Sequence, residues 1–275
     1  MILQDFNLDL DLKNLRKLIF LTAMKAAGSG LSHLASSFSC LEILYALYVN
    51  KAVNFDLNLR ERDRLILSKG HGALALYAVM SRAGLMSREE LLKSYLKDIG
   101  GEPSIRDFKG IEASTGSLGH GLSVGVGMAI AQKLDKLNSR TFVIIGDGEC
   151  QEGSIWEAAI SAAAFDLDNL AVILDCNNLQ KMCAVKDMIK LDNWSEKFKS
   201  FGFNIAEVDG HDVDALNKIL NLKNHGKPLL IIAHTVKGKG VSIMENNANW
   251  HFKLPNKKEL KIFKAELDIS DEELS

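Results

Sequence analysis

Hydrophobic positions in the second half of the chain fall in short runs that are separated by longer amphipathic stretches. The apolar runs near Phe142 to Ile145, Leu170 to Leu174, Phe203 to Val208 and Leu229 to Ala233 predict strands. The stretches between them have helical length and spacing. Strands that alternate with helices are typical of a parallel sheet. We therefore expect an α/β fold class, a parallel sheet with helices on both faces.

The first half of the chain predicts helices and one long loop. Leu12 to Ala27 and Cys40 to Asn50 have helical apolar spacing, and Ser39 is expected to be the N-cap of the second helix. The span from about Ile99 to Gly121 is rich in glycine and polar residues, and it predicts a loop of a length that is usually functional or mobile. We find no linker that would divide the chain, so a single domain over residues 1–275 is expected.

Composition and charge exclude several classes of function. The 275 residues are 47% hydrophobic and 25% charged, and a net charge of -2 gives no reason to expect a nucleic-acid partner. No apolar run reaches the length of a membrane span, and the start lacks the basic region of a secretion signal. The four cysteines form no C-x-x-C pair, so a cytoplasmic protein is expected. A small molecule or another protein remains as the partner.

Polar side chains follow two of the predicted strands at the point where each strand ends. Asp147 comes directly after the run T-F-V-I-I-G, and Asn177 follows the next strand along the chain. The carboxyl ends of parallel strands meet at one edge of the sheet, so these side chains should lie close together. With the backbone carbonyl of Leu179 they would offer three oxygen ligands, which suit Mg²⁺ or Ca²⁺.

The residues around Asp147 also suit a phosphate group. Gly146 and Gly148 allow the backbone to approach a phosphate closely, and a helix predicted to begin near Ser154 has free N–H groups at its start. The alternative is that D-G and N-N are two unrelated turns, which are common in proteins. Their matched positions at two strand ends favour the metal and phosphate interpretation.

Six sequence blocks resemble the amino-terminal half of transketolases. They are R-D-R-L-I-L-S-K-G-H-G-A-L-A-L-Y (62–77), S-T-G-S-L-G-H-G-L-S-V-G-V-G-M-A (114–129), G-D-G-E-C-Q-E-G-S-I-W-E-A, L-D-N-L-A-V-I-L-D, V-D-G-H-D and T-V-K-G-K-G-V. The resemblance covers about residues 13 to 252. It implies a thiamine diphosphate-binding fold, here a diphosphate-binding domain. The family's pyrimidine-binding and carboxy-terminal domains have no room in this chain and are expected on a separate chain.

The resemblance implies roles for individual residues. Asp147, Asn177 and the Leu179 carbonyl would hold the metal. The cofactor would be contacted by His71, Gly146, Gly148, Glu149 and Asn177 at the diphosphate side and by Gly116 and Leu118 at the aminopyrimidine. His33 and His251 would bind substrate and, with His71 and Glu152, take part in catalysis, Glu152 by coupling two cofactor sites. For each histidine the alternative is an ordinary core or loop imidazole, and His211 in D-G-H-D is expected in a turn or cap.

Glu102 departs from the family pattern. The family usually has G-H-P ahead of T-G-x-L-G, whereas this chain has G-E-P. An anionic acceptor in place of the histidine disfavours an anionic substrate group nearby and favours an amine or additional hydroxyls. The alternative is that the loop is displaced and Glu102 faces solvent. His120 and Phe252 also depart from the family pattern, and the glycines of the family's S-G-H-x-G are absent from L-S-H-L-A-S.

Three functions remain open at the level of sequence. The first is the amino-terminal subunit of a split transketolase, which moves a two-carbon ketol unit from a ketose to an aldose and needs histidines that titrate near neutral pH. It would be active only in an α2β2 assembly with the chain that carries the missing domains. The second is the α subunit of a 2-oxo-acid dehydrogenase. The third is a scaffold subunit that kept the fold and lost the chemistry.

Overall fold

A single parallel sheet organises the part of the chain that the computed structural model describes, which is residues 7–26, 32–50, 53–181, 183–191, 193–222 and 226–274. Its strands are β1 (Arg64–Leu67), β2 (Thr141–Gly146), β3 (Leu170–Cys176), β4 (Asn204–Asp209) and β5 (Leu229–His234). Their order across the sheet is β1-β2-β3-β5-β4, and every neighbouring pair is parallel. The predicted fold class is confirmed.

Helices connect the strands and cover the sheet. They are α1 (Leu8–Lys25), α2 (Leu34–Ser39), α3 (Leu41–Tyr48), α4 (Ala73–Arg82), α5 (Arg88–Ser94), α6 (His120–Leu134), α7 (Gly153–Ala164), α8 (Val185–Met188), α9 (Trp194–Phe201), α10 (Val213–Leu220), α11 (Glu259–Glu266) and α12 (Asp271–Leu274). Short 3-10 turns lie at Gly70–Gly72, Glu149–Gln151 and Ala248–Trp250. No helix of the described ranges is long and apolar enough to cross a membrane.

Successive residues of the central strands are buried against opposite helix layers. Ile144, Ile173 and Ile231 pack with the layer that contains α1 to α4 and α10, whereas their neighbours Val143, Val172 and Leu230 pack with α6, α7 and α9. Because helices cover both faces, the strands can be apolar at every position, which explains the continuous apolar runs of the sequence.

The structure corrects the sequence analysis in three places. The strand β1 was not predicted, because its four residues are few and charged residues precede them. Helix α1 begins at Leu8, earlier than expected, since the side chain of Asn7 accepts a hydrogen bond from the Leu10 N–H (3.1 Å) and caps it; the predicted end, Ala27, lies outside the described residues. Ser39 is not the N-cap of α3.

Ser39 instead ends the short helix α2, and its hydroxyl points to the sheet, where it donates a hydrogen bond to Asp175 (2.8 Å). The predicted loop is confirmed, since residues 100–119 contain neither helix nor strand. The helix expected near Ser154 begins one residue earlier, at Gly153.

The register of the sheet brings the candidate site together. Gly146 of β2 pairs with Asp175 of β3, so Asp147 and Asn177 leave adjacent strands at the same edge. Leu67 of β1 pairs with Ile144, which places the S-K-G-H segment at this edge as well.

Replacing Ile231 with alanine tests the placement of the core. Ile231 is fully buried in the central part of the sheet. Ile231→Ala removes apolar contacts and leaves a cavity, so we expect the free energy of unfolding to fall by about 2–5 kcal/mol. Ile160→Ala is the matched control, because Ile160 is 53% exposed on α7; its effect should stay within about 0.5 kcal/mol. Urea denaturation measures both values, and equal losses would contradict this core.

Candidate active site

A cavity of about 310 Å³ opens at the carboxyl edge of the sheet. Every residue predicted for the site lines it: His33, His71, Glu102, Gly116, Leu118, Gly146, Asp147, Gly148, Glu149, Glu152, Asn177, Leu179 and His251. The topology therefore brings together residues that lie as much as 218 positions apart in the sequence. Ligands of open α/β folds bind at this edge.

A buried ion pair forms the floor of this cavity. Lys69, which follows β1, contacts the Asp175 carboxylate of β3, and both side chains are almost completely buried. Asp175 also accepts hydrogen bonds from the hydroxyls of Ser39 (2.8 Å) and Thr235. Burial opposes both charges, but the attraction between the two groups has the larger effect on each pKa. Asp175 raises the pKa of Lys69, and Lys69 lowers the pKa of Asp175. The pair therefore stays charged.

Asp147, Asn177 and Leu179 converge as the sequence predicted. The Asp147 carboxylate accepts hydrogen bonds from the backbone N–H groups of Gly148 (2.8 Å) and Asn178. The side-chain oxygen of Asn177 accepts one from the Leu179 N–H (3.0 Å). The loops that follow β2 and β3 are thus joined directly, and the candidate metal ligands lie on both sides of this junction.

These oxygens fit a divalent cation. An oxygen that accepts one hydrogen bond keeps a second lone pair for a metal. Burial, together with the nearby Asp175 carboxylate, raises the pKa of Asp147 to about 7, so its negative charge lacks sufficient compensation from the protein. Among the described residues, His, Cys, Asp and Glu form no group of three that could hold a metal ion. The ligand set here would be mixed, with carboxylate, amide and carbonyl oxygens.

The imidazoles of His33, His71 and His251 form a cluster in the same cavity. Ring centroids are 5.5 Å apart for His33 and His71, 5.1 Å for His33 and His251, and 5.8 Å for His71 and His251. Burial and then Lys237 lower the pKa of His33 to about 4 and that of His251 to about 3. Burial and then Lys69 lower the pKa of His71. These pKa values lie below the near-neutral range expected from the sequence, because the imidazoles are buried and, to a lesser extent, because they face cations.

Lysines and carboxylates both line the cavity. Lys237 is 2% exposed, and its Nζ lies 3.1 Å from both the Leu179 carbonyl oxygen and His251 Nδ1. Burial and the charge of Lys69 lower the pKa of Lys237 to about 8. Lys69 and Lys181 also line the cavity. The buried Lys237 and the nearby imidazoles suit the negative oxygens of a phosphate ligand, whereas the buried Asp147 carboxylate suits a cation.

Sequence reasoning did not assign Lys69 or Lys237 to the site, although both lie in quoted blocks, S-K-G-H and T-V-K-G-K-G. Lys69 lies two residues after the end of β1 and Lys237 three residues after the end of β5, and each precedes a glycine. That position at a strand end, the same signal that identified Asp147, could have found them.

Glu149 holds three segments of the site. Its carboxylate accepts hydrogen bonds from the N–H groups of Gly119 (2.8 Å) and Gly146 (3.0 Å) and from the hydroxyl of Ser68. It therefore ties the ends of β1 and β2 to the start of α6. Burial raises the pKa of Glu149. Its predicted contact with a cofactor stays a prediction, since both oxygens bond to protein.

Glu102 lies at the mouth of the cavity, next to Gly116. A hydrogen bond from the Thr115 N–H to the Pro103 carbonyl (3.0 Å) folds the loop so that the two meet. Gly116 has φ +125°, and a Cβ at this position would collide with the Glu102 carboxylate, so only glycine fits. Glu102 is exposed, yet it lines the cavity, and partial burial raises its pKa.

The remaining predicted positions lie at the rim. Glu152 is exposed and precedes α7, and the Leu118 carbonyl lies 3.2 Å from His120 Nδ1. The ring of Phe252 lies 4.5 Å from the His33 ring, so this departure from the family pattern contacts the histidine cluster. His211 lies in a turn, as expected, outside the cavity.

The parallel sheet carries a polar cavity at the carboxyl ends of its strands, and the comparison with known protein families identifies its class. The sequence matches the family described as "Transketolase, thiamine diphosphate binding domain" over residues 10–274. The chain therefore belongs to the transketolase family. Its similarity to relatives named as separate subunits identifies it as an amino-terminal subunit of the split, thiamine diphosphate-dependent kind.

Two such relatives match over most of their length. The chain is 39% identical over 249 residues to one subunit of the apulose-4-phosphate transketolase of Phocaeicola vulgatus, a match that covers 88% of this chain and 87% of the relative. It is 38% identical over 238 residues to the 6-deoxy-6-sulfo-D-fructose transketolase subunit SqwG of a Clostridium species, with 84% and 86% covered.

Undivided transketolases match over a part of their length. The crystal structure of transketolase from Campylobacter jejuni has a TM-score of 0.83 and 28% sequence identity, and it covers 96% of this chain. The chain spans 44% of that transketolase and 39% of human transketolase, to which it is 37% identical over 248 residues.

The buried ion pair gives a prediction for Asp175→Asn. The substitution leaves the Lys69 ammonium buried without its counter-ion, so we expect the free energy of unfolding to fall by about 3–5 kcal/mol. The control is Glu207→Gln, which removes the acid of the half-exposed pair of Glu207 with His234 (3.0 Å) and should cost less than about 1 kcal/mol. Chemical denaturation at pH 7 compares them. A small effect for Asp175→Asn would show that Lys69 finds other compensation.

Proposed function

We propose that this chain binds the metal and diphosphate of thiamine diphosphate in a two-chain transketolase that moves a two-carbon ketol unit from a ketose to an aldose. The observation that carries the proposal is the charge of the cavity. It combines buried lysines, imidazoles that face cations, and one under-compensated buried carboxylate. A divalent cation and a diphosphate bound together would neutralise both sets of charges.

The cofactor-binding roles follow from this arrangement. Asp147, Asn177 and the Leu179 carbonyl would hold Mg²⁺, or Ca²⁺, through oxygen atoms. Lys237 and His71 would face the diphosphate, with the backbone at Gly146 and Gly148 close to it and Glu149 behind them. Backbone groups of Gly116 and Leu118 would contact the aminopyrimidine. Lys237 now bonds to the Leu179 carbonyl, so metal binding would require it to turn to the phosphate oxygens.

Thiamine diphosphate, when bound, supplies the carbon nucleophile that makes C–C cleavage of a ketose possible. The protein's own part is to hold protons near the substrate hydroxyls. A diphosphate anion would raise the pKa values of His33 and His251 from about 4 and about 3 towards neutrality, because it offsets the lysine charges. Bound cofactor would thus prepare these imidazoles for proton transfer.

Glu102 would select the donor sugar. Its carboxylate accepts hydrogen bonds from hydroxyl or amine groups and repels phosphate or sulfonate groups nearby. The two relatives cited above act, by their names, on apulose-4-phosphate and on 6-deoxy-6-sulfo-D-fructose. We therefore propose a non-standard ketose as donor, bound so that any anionic end points away from Glu102.

A second chain would complete the enzyme, and residues 1–275 would form its single diphosphate-binding domain. The described helices α6 and α7 carry exposed apolar side chains, since Val124 is 41% exposed, Leu134 77% and Ile160 53%. Phe165, which directly follows α7, is 57% exposed. Both helices start at the cavity, so a partner chain on this face would also reach the site. The partner would supply the pyrimidine-binding domain in an α2β2 assembly, with Glu152 coupling the two cofactor sites.

Calorimetry with the co-expressed partner tests the cofactor role. Mg²⁺ and thiamine diphosphate should bind saturably to the complex. Asp147→Ala should weaken binding by on the order of 100-fold or more, since it removes a metal ligand. Asp214→Ala is the control, because Asp214 is exposed on α10. A stable complex that binds no cofactor would favour the scaffold alternative, and pyruvate decarboxylation by the complex would favour the 2-oxo-acid dehydrogenase alternative.

Glu102→His tests the donor selection. With histidine, a cation-capable group replaces the carboxylate, so we expect the kcat/KM ratio of xylulose 5-phosphate to an amino or deoxy ketose to rise about tenfold, equivalent to about 1.4 kcal/mol. Glu102→Gln keeps the size and removes the charge, and it should raise the ratio less. Steady-state assays of the complex give both ratios. Unchanged ratios in both variants would show that Glu102 does not face the donor.

A further inference from the structure

A buried polar network lies behind the cavity and joins three distant parts of the chain. Glu42 of α3 contacts both Arg16 of α1 and His211 of the turn after β4. Glu42 is 2% exposed and Arg16 is 7% exposed. None of the three lines the cavity described above, so neither the metal nor the diphosphate role uses them directly.

Both oxygens of the Glu42 carboxylate are engaged in this network. Oε1 accepts from the Arg16 guanidinium, and Oε2 lies 3.1 Å from His211 Nδ1. His211 Nε2 accepts a hydrogen bond from the Val236 N–H (2.8 Å). A backbone N–H can only donate, so Nε2 carries no proton, and Nδ1 must carry the proton that is donated to Glu42. The geometry therefore requires the neutral Nδ1–H tautomer of His211.

The far ends of the network hold one loop, residues 236–240, at two points. His211 holds the Val236 N–H, and the Arg16 Nε donates to the Lys239 carbonyl (2.8 Å). Gly240 has φ +94°, and a Cβ there would lie 2.7 Å from Arg16 Cδ, so the loop passes directly against the guanidinium. These two anchors lie on either side of Lys237 in the sequence.

Lys237 is the residue of this loop that enters the cavity, where its Nζ lies within 3.1 Å of the Leu179 carbonyl oxygen and His251 Nδ1. A lysine side chain has four rotatable bonds, so its ammonium is placed accurately only if its backbone is fixed. Buried ion pairs such as Arg16 with Glu42 are weak sources of stability, because desolvation offsets their attraction. Fixing the backbone around Lys237 therefore explains this network better than stabilisation of the fold does.

We propose that Arg16, Glu42 and His211 are positioning residues that fix the 236–240 loop and so hold the Lys237 ammonium for a diphosphate group. The proposal rests on the proposed function for its ligand. It assigns a role to V-D-G-H-D, a block that the cofactor site itself does not use.

The test is calorimetric titration of the full chain with inorganic pyrophosphate in the presence of Mg²⁺. Lys237→Met should weaken binding about tenfold or more, because it removes a charge-assisted hydrogen bond. His211→Ala should weaken it by a similar factor. The double variant should bind no more weakly than Lys237→Met alone, since His211 acts through the same ammonium. His211→Gln offers both an acceptor and a donor and should restore most of the affinity.

His234→Ala is the matched control, because it removes a half-exposed imidazole two residues before Val236 that does not line the cavity; pyrophosphate affinity should not change. If the fold-losses of affinity caused by His211→Ala and Lys237→Met multiply in the double variant, the proposal is overturned, because His211 would then have a general structural role. Full affinity in His211→Ala would also overturn it.

Amide hydrogen exchange of the same variants gives a readout that needs no ligand. His211→Ala should speed exchange at 236–240 by about tenfold or more and leave the central strands unchanged, since it frees one anchor. His211→Gln should keep the slow exchange. If neither the wild-type chain nor its complex with the partner binds pyrophosphate, the proposed function is contradicted at this site, while exchange still decides the positioning role. Unchanged exchange at 236–240 in His211→Ala would refute it.

Discussion

The site depends on the burial of two opposite charges, Lys69 and Asp175, at the edge of the sheet. Neither group can be left alone in the interior, so each fixes the other, and the remaining acceptor capacity of Asp175 collects the hydroxyls of Ser39 and Thr235. These four residues belong to the end of α2 and to the segments after β1, within β3 and after β5. One electrostatic constraint thus sets the relative positions of the segments that carry His33, His71 and Lys237. The positions of the side chains that would contact a ligand follow from this constraint.

The same edge of the sheet buries further charged groups of both signs, among them Lys237 and Asp147. Burial lowers the pKa values of Lys237 and the imidazoles and raises the pKa of Asp147, because it removes the water that would stabilise each charge. A metal ion beside Asp147 and a polyanion beside Lys237 would reverse both shifts. Binding of such ligands would stabilise the folded domain, because it would compensate charges that burial destabilises.

Local sequence rules predicted much of the fold and site, and their failures share one cause. Apolar runs and strand ends located β2 to β5 and placed Asp147 beside Asn177, because these features depend on neighbours in the sequence. The role of Ser39 depends on Asp175, 136 residues away, and the pKa values of the histidines depend on Lys237. Such contacts leave no periodic signal. Strand β1 escaped because four residues are too few to show a period, and Lys69 because a lysine before glycine also suits an exposed turn.

The division between fixed and adjustable parts of the cavity has a physical basis. Asp175 and Glu149 are buried and bond to several segments each, so changing either would disturb the metal and diphosphate positions together. Glu102 lies on the long loop 100–119, is exposed at the mouth, and depends on local contacts near Gly116. In the proposed function, a substitution at Glu102 would alter the charge close to a bound sugar without moving the ion pair of Lys69 and Asp175. In the proposed function, donor preference would therefore change independently of the cofactor-binding framework, since the two are held by different interactions.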